Sequence, residues 1–137
     1  MTCELDDGLR RAAAQQRANA ERALADLDVT PAQFAVLCVV SDQPGVSAAD
    51  VARLERLTPP TMSVIVGNLN RKTLVEKRSH PDNARIQRLF ITELGVRLVQ
   101  EGAVRLKVSQ RRLCSALPDA AEALVQQWLR DIAGSGP

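Results

Sequence analysis

Six basic side chains crowd into one short segment of this chain. Between Arg71 and Arg88 stand Arg71, Lys72, Lys77, Arg78, Arg85 and Arg88, opposed only by Glu76 and Asp82. That segment carries +4 in a chain whose net charge is +2, so the remainder is weakly negative. Positive charge concentrated on a near-neutral body is the footprint of a polyanion-binding element. Just before it lie Thr58, Pro60, Thr61, Ser63, Val64 and Asn68. Short hydroxyl and amide side chains of this kind can reach the edges of nucleobases. Asparagine pairs well with adenine, and serine and threonine adapt to either base. A charge run by itself is more often a solvated face, so the segment gains meaning only from the elements that hold it.

The remaining reactive side chains point nowhere as definite. Cys3, Cys38 and Cys114 are too few and too scattered for a disulfide framework, and no CxxC occurs. Cys3 is the candidate for an oxidant-sensing thiol because it is near-terminal, although the acidic neighbours Glu4, Asp6 and Asp7 should raise its pKa. Cys38 sits in the most apolar run and reads as inert core, and Cys114 reads as packing. His80 is the only histidine; without a cysteine cluster it makes a weak metal ligand. No metal or cofactor is expected. With no phosphate-cradling glycine loop, metal-ligand helix motif or local nucleophile–base pair, neither is an enzyme.

The elements that would position these residues are mostly helical. Residues 4 to about 27 interleave alanine and leucine with charge, giving a helix with a thin apolar face. Thr30-Pro31 starts a second helix whose run Phe34-Ala-Val-Leu-Cys-Val-Val40 is apolar all round, so it belongs at the centre. Gln43-Pro44-Gly45 stops it. Ser47 then caps a short third helix, with Asp50 completing a capping-box-like pattern and Val51 and Leu54 expected to face inward. Thr58-Pro59-Pro60 opens a fourth helix with Met62, Ile65, Val66 and Leu69 on one buried stripe. Gly67 interrupts that helix at a cost of about 1 kcal/mol, which suggests that something large approaches the backbone there. Leu74–Arg78 and Arg85–Ile91 read as two strands joined by a loop, Ser79–Ala84, longer than a tight turn needs. Thr92 caps a long helix to about Leu117. After Pro118 a last helix aligns Leu124, Val125, Trp128, Leu129 and Ile132, and the end from Gly134 to Pro137 is expected to fray.

A short helix, a turn, a polar-faced second helix and a basic hairpin make a winged helix-turn-helix pattern. The fourth helix, about 14 residues and roughly 21 Å long, suits the DNA major groove, and a basic hairpin beside it can follow phosphates or enter the minor groove. The fold class expected is mainly α with a small β wing. A lobe at residues 30–92 would be flanked by dimerisation helices at 1–29 and 93–137, all in one domain.

Over nearly its whole length the chain resembles the MarR family of bacterial transcriptional regulators. The resemblance is sharpest in Leu27-Asp-Val-Thr-Pro-Ala-Gln-Phe-Ala-Val-Leu37, Pro44-Gly-Val-Ser-Ala-Ala-Asp-Val-Ala-Arg53 and Pro59-Pro-Thr-Met-Ser63. It continues in the wing, from Leu74-Val-Glu-Lys-Arg78 through Arg85 to Ile91-Thr-Glu-Leu-Gly95. It implies that the first and last two helices interlock a homodimer and that Arg85, at the wing tip, contacts the minor groove. The implied DNA-binding set is Ser47, Thr58, Pro60, Thr61, Ser63, Val64, Asn68, Arg71, Lys77, Arg78, His80, Asn83 and Arg85. The chain departs from the pattern at Val64, where many members have arginine, and at Gly67-Asn68, where they have an acidic–basic pair. Asn83 replaces the aspartate that braces the wing arginine, and Thr73 replaces the glycine that ends the recognition helix.

The expected function is a regulator, repressor by the family's habit, that binds a pseudo-palindromic operator in double-stranded DNA. A small-molecule or oxidant effector would act between the first helix, the Phe34–Val40 helix and the start of the long helix. Phe34 itself reads as ordinary core. The contrasting expectation, prompted by Val64 and Gly67, is a winged-helix protein-interaction module that has lost DNA binding. There is no apolar run near 18 residues to span a membrane, and Met1-Thr-Cys-Glu-Leu-Asp-Asp lacks a signal region, so the expected location is cytoplasmic.

Overall fold

The structure, a computed structural model, describes residues 3–134. Helix α1 (Glu4–Leu24) runs into a single 3-10 turn (Ala25–Leu27) and then α2 (Pro31–Asp42). A two-residue strand β1 (Val46–Ser47), α3 (Ala48–Leu54) and α4 (Pro59–Arg71) follow. The wing is β2 (Val75–His80) and β3 (Asn83–Ile91), and α5 (Glu93–Cys114) and α6 (Asp119–Gly134) complete the chain. The last three residues of the end expected to fray lie outside the described residues, and Gly134 itself is helical. No single helix among the described residues is long and apolar enough to cross a membrane.

Local chemistry explains the helix starts. Thr30 and Gln33 form a reciprocal capping box: the Gln33 N–H donates to Thr30 Oγ1 at 3.1 Å and the Thr30 N–H donates to Gln33 Oε1 at 3.2 Å. Thr92 caps α5 by accepting the Gly95 N–H, and its hydroxyl lies 2.7 Å from the carbonyl of Thr73, tying the end of α4 to the end of the wing. At α3 the expected box is only half made. Ser47 accepts the Asp50 N–H, but the Asp50 carboxylate pairs forward with Arg53 and does not reach back.

The core gathers around α2. Leu24, Phe34, Val36, Leu37, Val40, Val51, Met62, Ile65, Val66, Leu69, Leu74, Val75 and Leu89 form one buried cluster. Leu54, expected inside, is 58% exposed. It is the last residue of α3; the chain then turns through Arg56 at φ 52°, and Leu57 packs on the core in its place. The Arg56 guanidinium donates to the Ala133 carbonyl at 2.8 Å, linking this turn to the end of α6. At α2 and α5 the packing is close enough that a Cβ at Gly102 would overlap the Phe34 ring.

The sheet order is β1-β3-β2, antiparallel throughout. Two expectations change here. The wing strands run on to His80 and Asn83 and leave only Pro81-Asp82 as the turn, with a register irregularity between Ser79 and His80. The pairing absorbs residues whose turn-like chemistry had suggested a loop. β1 was not expected: its two residues pair with Leu89 and Arg88, which anchors the start of α3 to the wing. The long helix stops at Cys114, one turn before Leu117, because Pro118 disfavours a helical residue ahead of it.

Candidate nucleic-acid interface

Helix α4 presents two unlike faces. Met62, Ile65, Val66 and Leu69 are buried, while Pro60, Thr61, Ser63 and Val64 are exposed and Gly67 and Asn68 half-buried. At 100° per residue, Pro60, Val64, Gly67 and Arg71 share the centre of the outward stripe, with Thr61 and Asn68 on one flank and Ser63 on the other. Thr58 caps the helix, accepting the Thr61 N–H at 3.4 Å, and its hydroxyl lies 2.9 Å from that of Thr61. The two hydroxyls are thus partly committed to each other.

Near the end of the helix, side chains engage one another. The Arg71 guanidinium donates to Asn68 Oδ1 and, at 3.4 Å, to the Gly67 carbonyl. Arg71 therefore lies along the helix. Asn68 keeps its NH2 group as a donor but has its acceptor occupied, so the two-point pairing with adenine expected from its residue type is not preformed. A Cβ placed on Gly67 would meet nothing within 4 Å. Packing among the described residues does not require this glycine.

Beside α4, Lys77, Arg78, Asn83 and Arg85 all project from the wing as exposed residues. Arg78 pairs with Glu76 at 2.9 Å and its guanidinium stacks over Phe90, 4.3 Å from the ring centroid. The side chain of Asn83 accepts the backbone N–H of Arg85 at 3.0 Å. It shapes the wing turn and leaves the Arg85 guanidinium without a hydrogen-bond partner among the described residues. Arg88, counted in the basic segment, is half-buried and donates to the Gly45 carbonyl at 3.2 Å, so it braces the sheet.

Four of the expected residues line two clefts. Ser63 and Lys77 line one of about 450 Å³ between α3, α4 and the wing. Ser47 and His80 line another, between the start of α3 and the wing; at the wing turn the Asp82 N–H donates to His80 Nδ1 at 3.1 Å. Arg53 and Gln87 share the first cleft and were missed from the sequence. Arg53 follows Ala49 by one turn, opposite buried Val51, a signal that places it outward but cannot say that the wing lies across from it.

Away from this surface, α1, α2 and α5 enclose a smaller cleft of about 200 Å³ lined by Leu24, Phe34 and Leu106 among others. It meets the second half of α5, through Ser109, Gln110 and Leu113. Cys3 is exposed at the start of α1, where the backbone N–H groups of Asp6 and Leu5 lower its thiol pKa. That reverses the direction expected from its acidic neighbours. Cys38 is half-buried, and burial followed by the Asp42 and Glu55 carboxylates pushes its thiol up.

Residues 27–86 match the model of the MarR family. A MarR-family transcriptional regulator from Rhodococcus sp. RHA1 has the same fold at a TM-score of 0.89 and 24% identity, over 97% of this chain and 96% of its own. BpsR of Bordetella bronchiseptica, whose DNA binding is regulated by 6-hydroxynicotinic acid, matches at 0.88 and 24% over 97% and 95%. The transcriptional repressor CouR of Rhodococcus jostii RHA1, solved on a 23-mer DNA duplex, matches at 0.87 and 22% over 92% and 89%. No curated protein matches the chain.

Proposed function

We propose that this chain, which carries a MarR-family winged-helix lobe at residues 27–86, is a transcriptional regulator that binds double-stranded DNA as a homodimer and represses until an effector releases it. The observation that carries the reading is the outward stripe of α4, set beside a wing that projects Lys77, Arg78 and Arg85. α4 would lie in the major groove. The exposed wing cations would neutralise phosphates, with Arg85 reaching the minor groove at the tip. Ser47 and Thr58, at the starts of α3 and α4, would sit near the backbone of the duplex, with His80 and Asn83 flanking it from the wing.

Dimerisation is supported by apolar side chains that this chain leaves uncovered. Leu124, Trp128, Leu129 and Ile132 on α6 and Val104, Val108 and Leu113 on α5 are exposed, and an apolar stripe of that length needs a partner surface. Two recognition helices would then meet half-sites about 34–36 Å apart on one face of the duplex. An effector seated in the α1, α2 and α5 cleft would act by favouring a dimer whose helices have a different spacing. The likeness to BpsR and CouR supports a repressor with a small-molecule effector.

Selection from random duplex DNA at two salt concentrations tests this reading. Recovery of an inverted repeat with half-sites about one turn apart, bound more weakly at high salt, is the expected result. No enrichment at low salt would sink it and favour a winged helix that contacts a protein.

A further inference from the structure

The exposed face of α4 is unusual for a solvated helix in carrying no charge before its last residue, Arg71. From Pro59 to Asn70 there is not one ionisable side chain, in a protein of which 25% is charged. The first cation after it, Arg71, is drawn back onto Asn68 and the Gly67 carbonyl. No residue from Pro59 to Asn70 can make the two-pronged arginine contact that commonly identifies guanine. What stands there is Val64, 63% exposed, with Pro60 one turn before it and Gly67 three residues after. Gly67 lies next to Val64 on the helix surface and has no side chain, which leaves a shallow notch beside Val64 on the side away from Asn68. Among the described residues no atom requires the notch, since a Cβ at Gly67 would meet nothing within 4 Å. The glycine gives up roughly 1 kcal/mol of helix propensity to keep open a space that only an outside partner can use.

We propose that Val64 and the notch at Gly67 seat the C5-methyl group of a thymine, so that each half-site is specified by a T·A pair at this position. Thymine is the one base that offers a methyl group in the major groove. Asn68, whose Oδ1 is occupied by Arg71, turns its NH2 group towards an acceptor on the same or the adjacent pair, thymine O4 or purine N7. The notch explains in one stroke why a valine stands exposed in the middle of the face and why a glycine interrupts the helix. This assignment rests on the DNA-binding reading above and adds to it the chemistry of the base that is read.

Parallel selections from random duplex pools made with either thymine or deoxyuridine, followed by single thymine-to-deoxyuridine replacements in the recovered duplex, test it. Removing the methyl from the contacted thymine should weaken binding roughly fourfold in one half-site and about fifteenfold in both, the factors that burial of one methyl at about 0.8 kcal/mol supports. Val64→Ala, a surface change that leaves the fold intact by circular dichroism, should bind the thymine and deoxyuridine duplexes alike. Gly67→Ala should weaken binding to the thymine duplex without lowering thermal stability. If wild type binds both duplexes equally, or Val64→Ala keeps the full preference for thymine, the assignment is overturned while DNA binding stands. If no duplex is enriched in either pool, the DNA-binding reading fails first and takes this one with it.

Discussion

The lobe from α2 to β3 and the helical pair α5–α6 use apolar residues in opposite ways. In the lobe, Val36, Leu37, Val40, Val51, Leu69 and Leu89 are sealed completely within one chain. In α5 the only buried residues are Gly95 and Gly102, with Leu98, Val99 and Leu106 partly buried against the lobe, and α6 has none, while Leu124 is left 73% exposed. The lobe closes its own core. α6 and the outer side of α5 present apolar side chains with no second layer over them among the described residues, and domains need two such layers. Stability should therefore be local in the lobe and dependent on a second copy in the pair.

The strongest way to break that contrast is to open the lobe. Leu37→Ala should cost about 2–5 kcal/mol, through lost burial and a residual cavity, and urea titration should show the loss at every protein concentration. A loss that shrinks as concentration rises would mean that the lobe, too, relies on association.

Next in size, Trp128→Asp combined with Leu129→Asp should weaken self-association by 2 kcal/mol or more, on the order of thirtyfold, as loss of buried interface anchors does. Sedimentation equilibrium would read it, and the far-ultraviolet spectrum should stay helical. An unchanged oligomeric state would show that α6 is not the covering surface.

Two glycines sharpen the contrast further because they face opposite ways. Gly102→Ala forces a methyl into the Phe34 ring and should cost roughly 1–3 kcal/mol. Gly67→Ala should gain up to about 1 kcal/mol, since nothing within the chain opposes it. Thermal melts of the two variants should move in opposite directions. If both fall, Gly67 has an internal role that its open surroundings do not reveal.

The smallest change lies at the seam between α4 and the wing. Thr73 occupies the left-handed region at φ 58°, where a β-branched residue is strained. Thr73→Gly should stabilise the fold by roughly 1 kcal/mol or less, because relief of strain is offset by the greater freedom of glycine when unfolded. A fall in denaturation midpoint would show that the Thr73 side chain contributes more than its backbone costs.

Much of this was legible one residue at a time. The caps expected at Thr30, Ser47 and Thr92 each accept the N–H three residues on, because a cap depends on neighbours three residues away. The buried stripe of α4 was equally plain, since 3.6-residue periodicity is a property of the local chain. The candidate surface was only half legible. The exposed positions of α4 follow from that same period. The engagement of Asn68 by Arg71 is a contact three residues apart that residue types allowed but did not choose.

Sequence alone determined where helices begin, which face of each is apolar and where positive charge collects, because these follow from contacts within a turn or from composition. Tertiary structure decided the rest. β1 exists only because Leu89 and Arg88 lie within hydrogen-bonding reach of Val46 and Ser47. Leu54 faces outward because the chain turns at Arg56 and hands its place to Leu57. Arg53, Ser63 and Lys77 share a cleft because α3, α4 and the wing pack around one core. Each of these depends on which distant segment arrives alongside, and that is set by burial of the whole apolar surface at once and not by any local spacing.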